Sequence, residues 1–118
     1  MKRRRLKSKR TMATSITKDV RMKVWQRDQG RCVVCGATHN VEPNAHYIPR
    51  SQGGMGIEEN VVTLCNNFSQ NKCHYKFDFG GKELREEIGK RIEGYLKQKY
   101  PGWSKEKVVY KKWSDPSK

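Results

Sequence analysis

Short stretches of alternating apolar and polar residues predict the elements of this chain. From Thr17 to Asp28, Val20, Val24 and Trp25 fall on one helical face behind Thr17 as N-cap and Asp19 in the first turn, and Gly30 ends the run. Ala45-His46-Tyr47-Ile48 and Val61-Val62-Thr63-Leu64 read as two strands, separated by a turn-rich stretch with Pro49, Gly53, Gly54 and Gly56. The second strand leads through Cys65 to a short helix around Asn71 to Asp78, stopped by Gly80 and Gly81. From Lys82 to about Lys99 the residues Leu84, Ile88, Ile92 and Leu96 recur every four positions, the pattern of an amphipathic helix laid over a core, and Pro101 terminates it. Beyond it, Trp103, Val108, Val109, Tyr110 and Trp113 among lysines predict either a segment packed back on the domain or an aromatic-basic surface, packing being the simpler reading.

Charge adds a partner to this picture. The 118 residues carry 26 Lys and Arg against 12 acids, a formal net charge of +14, which suits a polyanion. The run Lys2-Arg3-Arg4-Arg5-Leu6-Lys7-Ser8-Lys9-Arg10 reads as an arm that lies along phosphates, or as a solubilising tail or address signal. No apolar run is long enough to span a bilayer, and the basic start leads into polar residues and not an apolar stretch. The expectation is a chain without membrane attachment or signal peptide, in the reducing cytoplasm. It divides into a flexible arm over 1–14, a folded domain over 15–100 and an aromatic-basic tail over 101–118.

So small a chain cannot build a large core, and the cysteines offer a staple. Cys32, Cys35, Cys65 and Cys73 fit two disulfides or one tetrahedral metal site. Cys32 and Cys35 lie two residues apart, so one tight turn, eased by Gly36, presents both thiolates to one ion. Cys65 and Cys73 have seven intervening residues and converge only if Asn66 to Lys72 loops out. In a reducing compartment this spacing points to structural Zn²⁺. Four thiolates and one zinc lower the net charge by two, to roughly +12, so the affinity for polyanions survives metal binding.

The stretch Ala45-His46-Tyr47-Ile48-Pro49-Arg50-Ser51-Gln52-Gly53-Gly54, then Glu59-Asn60-Val61-Val62-Thr63-Leu64-Cys65, then Cys73-His74, resembles the HNH endonuclease family. The resemblance runs from about Val20 to Asp78 and includes the Cys-x-x-Cys knuckle of phage and bacterial members. It implies an α+β fold: a zinc-stapled ββα-metal finger, also known as a His-Me finger, with flanking N- and C-terminal helices. It further implies metal-assisted nicking or cleavage of double-stranded DNA, leaving 5′-phosphate and 3′-hydroxyl ends. Small free-standing members are often phage-encoded and work beside a packaging terminase, so the resemblance suggests terminase as a partner.

Carried over residue by residue, the family's functional positions are His46, Asn60 and His74. A neutral imidazole suits His46 to take a proton from water, Asn60 would fix the direction of His46, and His74 would hold a divalent ion, Mg²⁺ or Mn²⁺, against the scissile phosphate. Many members place a metal-binding Asp or His just before the first His, where this chain has Ala45, a residue that cannot coordinate. Asp78, four residues after His74 and on the same helical side, is the expected second ligand. The alternative is a catalytically degenerate, zinc-dependent DNA-binding module. His74, which adjoins Cys73, could instead be a zinc ligand in place of Cys65 or Cys73. Arg3, Arg4, Arg5, Arg50, Lys72 and Lys76 are the candidate phosphate contacts, and His39 reads as a surface loop residue.

Overall fold

A hydroxyl opens each of the first two helices. Ser8 caps α1 (Lys9–Thr14) by accepting the Thr11 N–H, and Thr17 caps α2 (Lys18–Asp28) by accepting that of Val20. The computed structural model describes residues 8–111; Arg3, Arg4 and Arg5 and Trp113 lie outside that range. The flexible arm expected over 1–14 does not extend to its end, because Lys9–Thr14 is a helix with tertiary anchors. Arg10 donates to the carbonyls of Arg50 (3.1 Å) and Ser51 (2.9 Å), and the Gly56 N–H donates to Ala13 O at 2.9 Å. Six residues could not hold a helix alone; these bonds to the rest of the domain hold it.

In α2, Val24 is wholly buried, whereas Trp25 stays largely exposed and lies over Gly30, where a Cβ would come within 2.9 Å of its ring. Gln29 turns left-handed to end the helix, and Gly30, also at positive φ, completes the turn.

Two antiparallel strands follow, β1 (Val41–His46) and β2 (Val61–Cys65), with Val41 opposite Cys65 and His46 opposite Val61. The first is shifted from the expected Ala45-to-Ile48. Its beginning is hidden by a bulge between Glu42 and Ala45, where Pro43 and Asn44 break the alternation and Pro43 offers no N–H. Its expected end is paired by a side chain: the Ile48 N–H donates to Asn60 Oδ1 at 2.8 Å, and Asn60 Nδ2 donates back to Ile48 O at 3.1 Å. Every residue of β2 is buried, so the strand is the spine of the core.

The helix α3 (Cys73–Phe79) starts two residues later than the expected Asn71, because Lys72 is left-handed and cannot join it. It packs on α4 (Lys82–Lys99), which buries Ile88, Ile92 and Leu96. Leu84 remains 37% exposed despite belonging to the same repeat. Four residues turn a helix through about 400°, so an i+4 series drifts about 40° per step and its first member swings off the face that the last three share.

The segment after α4 packs back. Trp103 and Val108 are buried, Trp103 donates its indole N–H to Glu59 O at 2.7 Å, and a bridge joins Gly54 to Val109. Tyr47 meets Trp103 edge-on, with centroids 5.7 Å apart, and lies parallel to Phe77 at 6.3 Å. The molecule is thus an α+β fold: a ββα core flanked by N-terminal helices and a long C-terminal helix, with a four-cysteine metal-binding cluster. No described helix is long and apolar enough to cross a membrane.

Candidate functional site

The metal cluster gathers three separated segments. The knuckle after α2 gives Cys32 and Cys35, the last residue of β2 is Cys65, and the first of α3 is Cys73. Knuckle geometry comes from the backbone: Cys32 N–H donates to Ala37 O and Gly36 N–H to Cys32 O, both at 2.9 Å, while Val33 N–H docks the turn on Thr63 O at 3.0 Å. Seven residues loop out between Cys65 and Cys73, closed by Ser69 N–H to Asn66 O at 3.0 Å, and the Cys73 N–H points at Cys65 Sγ at 3.1 Å.

All four sulfurs lie within 4.8 Å of one another, and Cys35 and Cys65 are 3.7 Å apart. A tetrahedron with Zn–S bonds near 2.3 Å separates its corners by about 3.8 Å. The cluster is thus arranged as four ligands around one ion, and all four cysteines are free. Burial raises the Cys32 and Cys73 thiols above their usual range, and the neighbouring Cys65 adds to the shift of Cys73. Cys35 is also penalised by burial, yet hydrogen bonds from Asn71 and Ala37 bring it down to about 7. Four thiolates this close repel one another; a cation among them removes the repulsion and displaces the remaining protons. His74 is not part of this group, so the cluster is built from cysteines alone.

The sequence-matched histidines sit away from the sulfurs. His46, the last residue of β1, is half-buried, and its Nε2 lies 2.8 Å from the Thr14 carbonyl at the end of α1. A carbonyl only accepts, so Nε2 carries a hydrogen, and in the neutral ring Nδ1 then keeps its lone pair. Burial pushes the His46 pKa below its usual value; the Thr14 carbonyl opposes that, Arg50 and His74 reinforce it, and Asp78 opposes it. The balance favours the neutral imidazole.

Asn60 is fully buried. Besides its two bonds to Ile48 it donates to Met55 O at 2.9 Å, and its backbone carbonyl accepts the Tyr47 N–H at 2.7 Å. It ties the strand leaving His46 to the turn that follows. Ala45, in contrast, is buried in the core and brings no ligand atom.

His74 and Asp78 lie one turn apart on α3, with Nε2 and Oδ2 at 3.2 Å. They line a groove of about 370 Å³ whose other wall includes Glu42 and Asn44 of β1. Among the described residues the four-cysteine cluster is the one group of three or more potential metal ligands. Lys72, just before α3, and Lys76, within it, are exposed. Arg50 is exposed too, with its guanidinium on the hydroxyls of Thr14 (3.3 Å) and Ser15 (3.2 Å). His39 is a surface loop residue bonded to Thr38.

Sequence reading missed the part played by α1. The Thr14 carbonyl that fixes the His46 tautomer comes from a segment hidden in the basic run, where the only signal was Ser8 as a cap three residues before Thr11. Comparison with protein-family models, with curated proteins and with solved structures returned no match for the chain.

Proposed function

We propose that this metal-binding ββα module binds double-stranded DNA and hydrolyses its phosphodiester backbone with help from a divalent ion. The observation that carries this reading is the 2.8 Å contact of His46 Nε2 with Thr14 O: in the neutral ring it commits Nε2–H and leaves the Nδ1 lone pair to accept a proton from water. That water would attack phosphorus as the bond to the 3′ oxygen breaks, leaving a 5′-phosphate and a 3′-hydroxyl. His74 and Asp78 would hold the ion; neighbouring ligands on an octahedron with 2.1 Å bonds are about 3 Å apart, close to their separation of 3.2 Å. Mg²⁺ or Mn²⁺ bound there would supply charge neutralisation at the departing oxygen. Asn60 has no chemistry in this scheme; it holds the strand end that carries His46. Lys72, Lys76 and Arg50 would meet phosphates, and Arg3, Arg4 and Arg5 would extend that contact.

One observation favours a second reading, in which the module binds DNA without cutting it. Ala45 is buried and two protein ligands are few for a hard cation, and binding alone would account for both the zinc cluster and the charge of +14. Supercoiled plasmid separates the two. With zinc-loaded protein and added Mg²⁺ or Mn²⁺, the wild type is expected to produce nicked or linear DNA while His46→Ala does not. A wild type that retards the plasmid on a gel but leaves it supercoiled under either metal would establish the binding reading instead.

A further inference from the structure

The groove beside His74 is edged by aromatic rings that the domain itself does not use. Phe68 is 85% exposed, Phe79 74% and Tyr75 49%, and all three line this groove. Tyr75 and Phe79 tilt against each other with ring centroids 5.3 Å apart. One exposed ring is ordinary, but three around one groove form a surface for a partner. Nor is Phe68 on a loose loop: its N–H donates to Asn66 Oδ1 at 2.9 Å, its carbonyl accepts from Asn40 Nδ2 at 3.3 Å, and Asn66 N–H is tied to Asn40 O at 2.8 Å.

Between the rings the lining carries the carboxamides of Asn44 and Asn67, while that of Asn66 is already bonded to the Phe68 N–H and to Glu42. The Asn44 Oδ1 is buried with no hydrogen-bond partner among the described residues. A buried acceptor left in that state is costly, and turning the Asn44 carboxamide toward a donor in the groove would relieve the cost. Carboxamides pair with base edges, and aromatic rings stack on the faces of any base. A base inside a duplex offers neither its faces nor its pairing edge; an unpaired base offers both, and withdrawing it costs least where it is already unpaired. The volume of about 370 Å³ is in the range of small-ligand sites. The groove itself carries the acids Glu42 and Asp78 and no Lys or Arg, so the attraction to nucleic acid comes from the chain's net charge of +14 and the selection of a base from the rings.

We infer that the groove receives a single unpaired nucleobase, stacked against the Phe68 and Tyr75–Phe79 rim and read by Asn44, so that DNA carrying an unpaired base is the preferred substrate class. This rests on the DNA-binding reading above and specifies the form of DNA bound.

The test is fluorescence anisotropy with zinc-loaded protein and no added Mg²⁺ or Mn²⁺, comparing a paired duplex with the same duplex carrying one extra, unpaired 2-aminopurine. The wild type is expected to bind the bulged duplex roughly tenfold more tightly and to quench its 2-aminopurine emission by stacking. Phe68→Ala/Phe79→Ala should keep paired-duplex binding within about twofold while losing both the preference and the quenching. Asn44→Ala should lose most of the preference. Both substituted rings are exposed, so the double variant folds, which zinc content and melting verify, and it decides the matter if Asn44→Ala does not fold. Equal wild-type affinity for the two duplexes, or a double variant that weakens both alike, overturns the inference while leaving DNA binding in place. Plasmid scission by the same samples reports separately on hydrolysis.

Discussion

Asp28 accepts the Thr63 backbone N–H at 2.8 Å, and through that bond the last residue of α2 grips the middle of β2. The carboxylate is buried but fully occupied: Arg27 lies along it at 2.7 and 3.1 Å, and the Tyr95 hydroxyl donates from α4 at 2.5 Å. Arg27 in turn donates to the carbonyl of Val61 and sits over the Tyr95 and Tyr100 rings. Asp28→Ala leaves the Arg27 charge and the Thr63 N–H without their partner, and should destabilise the domain by about 3–5 kcal/mol. Tyr95→Phe removes one donor and should cost about 1–2 kcal/mol. Urea midpoints at unchanged slope measure both; an Asp28→Ala midpoint equal to wild type would remove this hub from the account of stability.

Zinc removal should unfold the core and not merely loosen its end. The cluster joins the knuckle, β2 and α3, so stripping the ion with a strong chelator is expected to abolish the cooperative melt, and re-addition of Zn²⁺ to restore it. Elemental analysis should give one zinc per chain, and Cys73→Ser, which alters a buried ligand, should lower that occupancy. A metal-free chain that melts as the wild type does would contradict the structural role.

Gly54 is the tightest backbone position in the turn after β1. A Cβ there would collide with the Ile48 carbonyl oxygen and stand 3.0 Å from Asn60 Nδ2. Gly54→Ala therefore has to break the Asn60 brace and should cost more than about 2 kcal/mol, whereas Gly94→Ala, whose Cβ meets nothing within 4 Å on the exposed side of α4, should be neutral or stabilising. Thermal melts of the two variants side by side give the comparison.

The pH response follows from His46. Its folded pKa is depressed, chiefly by burial, so between that value and about 6.5 the unfolded chain binds the proton that the folded one refuses. His46 should leave stability unchanged above about pH 6.5 and reduce it as pH falls through the folded pKa. Any hydrolysis that uses Nδ1 should likewise hold its rate down to about pH 6.5 and decline only below it. Arg50→Gln removes a cation that disfavours imidazolium and should move the acid limb upward. Titration of the His46 ring by NMR reads the pKa directly; a value above 6.5 would reverse both expectations.

The sequence disclosed most where local chemistry is self-sufficient. Thr17 and Asp19 declared the start of α2, the Ile88, Ile92 and Leu96 series declared α4, and the cysteine spacing declared a site that the structure assembles from all four sulfurs. Long-range partnerships were hidden. Arg27 and Asp28 are adjacent charges at a helix end and look like solvated surface, yet they are the most heavily bonded polar residues in the core. Lys9–Thr14 carries no apolar stripe, so nothing local distinguished a docked helix from a basic tail. Pro43 and the bulge concealed the beginning of β1, and Asn60 replaced a strand ladder with its own amide at the end. Of the candidate site, His46, His74 and Asp78 could be picked from the sequence, but the Thr14 carbonyl is a backbone atom and leaves no residue-type signature.

The turn between Pro49 and Gly56 is held from both sides. Ala13 and Arg10 bond to it from the N-terminal side, while Val108 accepts the Met55 N–H and Tyr110 N–H donates to Gly53 O from the other. Segments about a hundred positions apart in sequence therefore brace the same turn. Loosening either segment should therefore reach the turn and, through the bond from Asn60 to Met55 O, the strand end that carries His46.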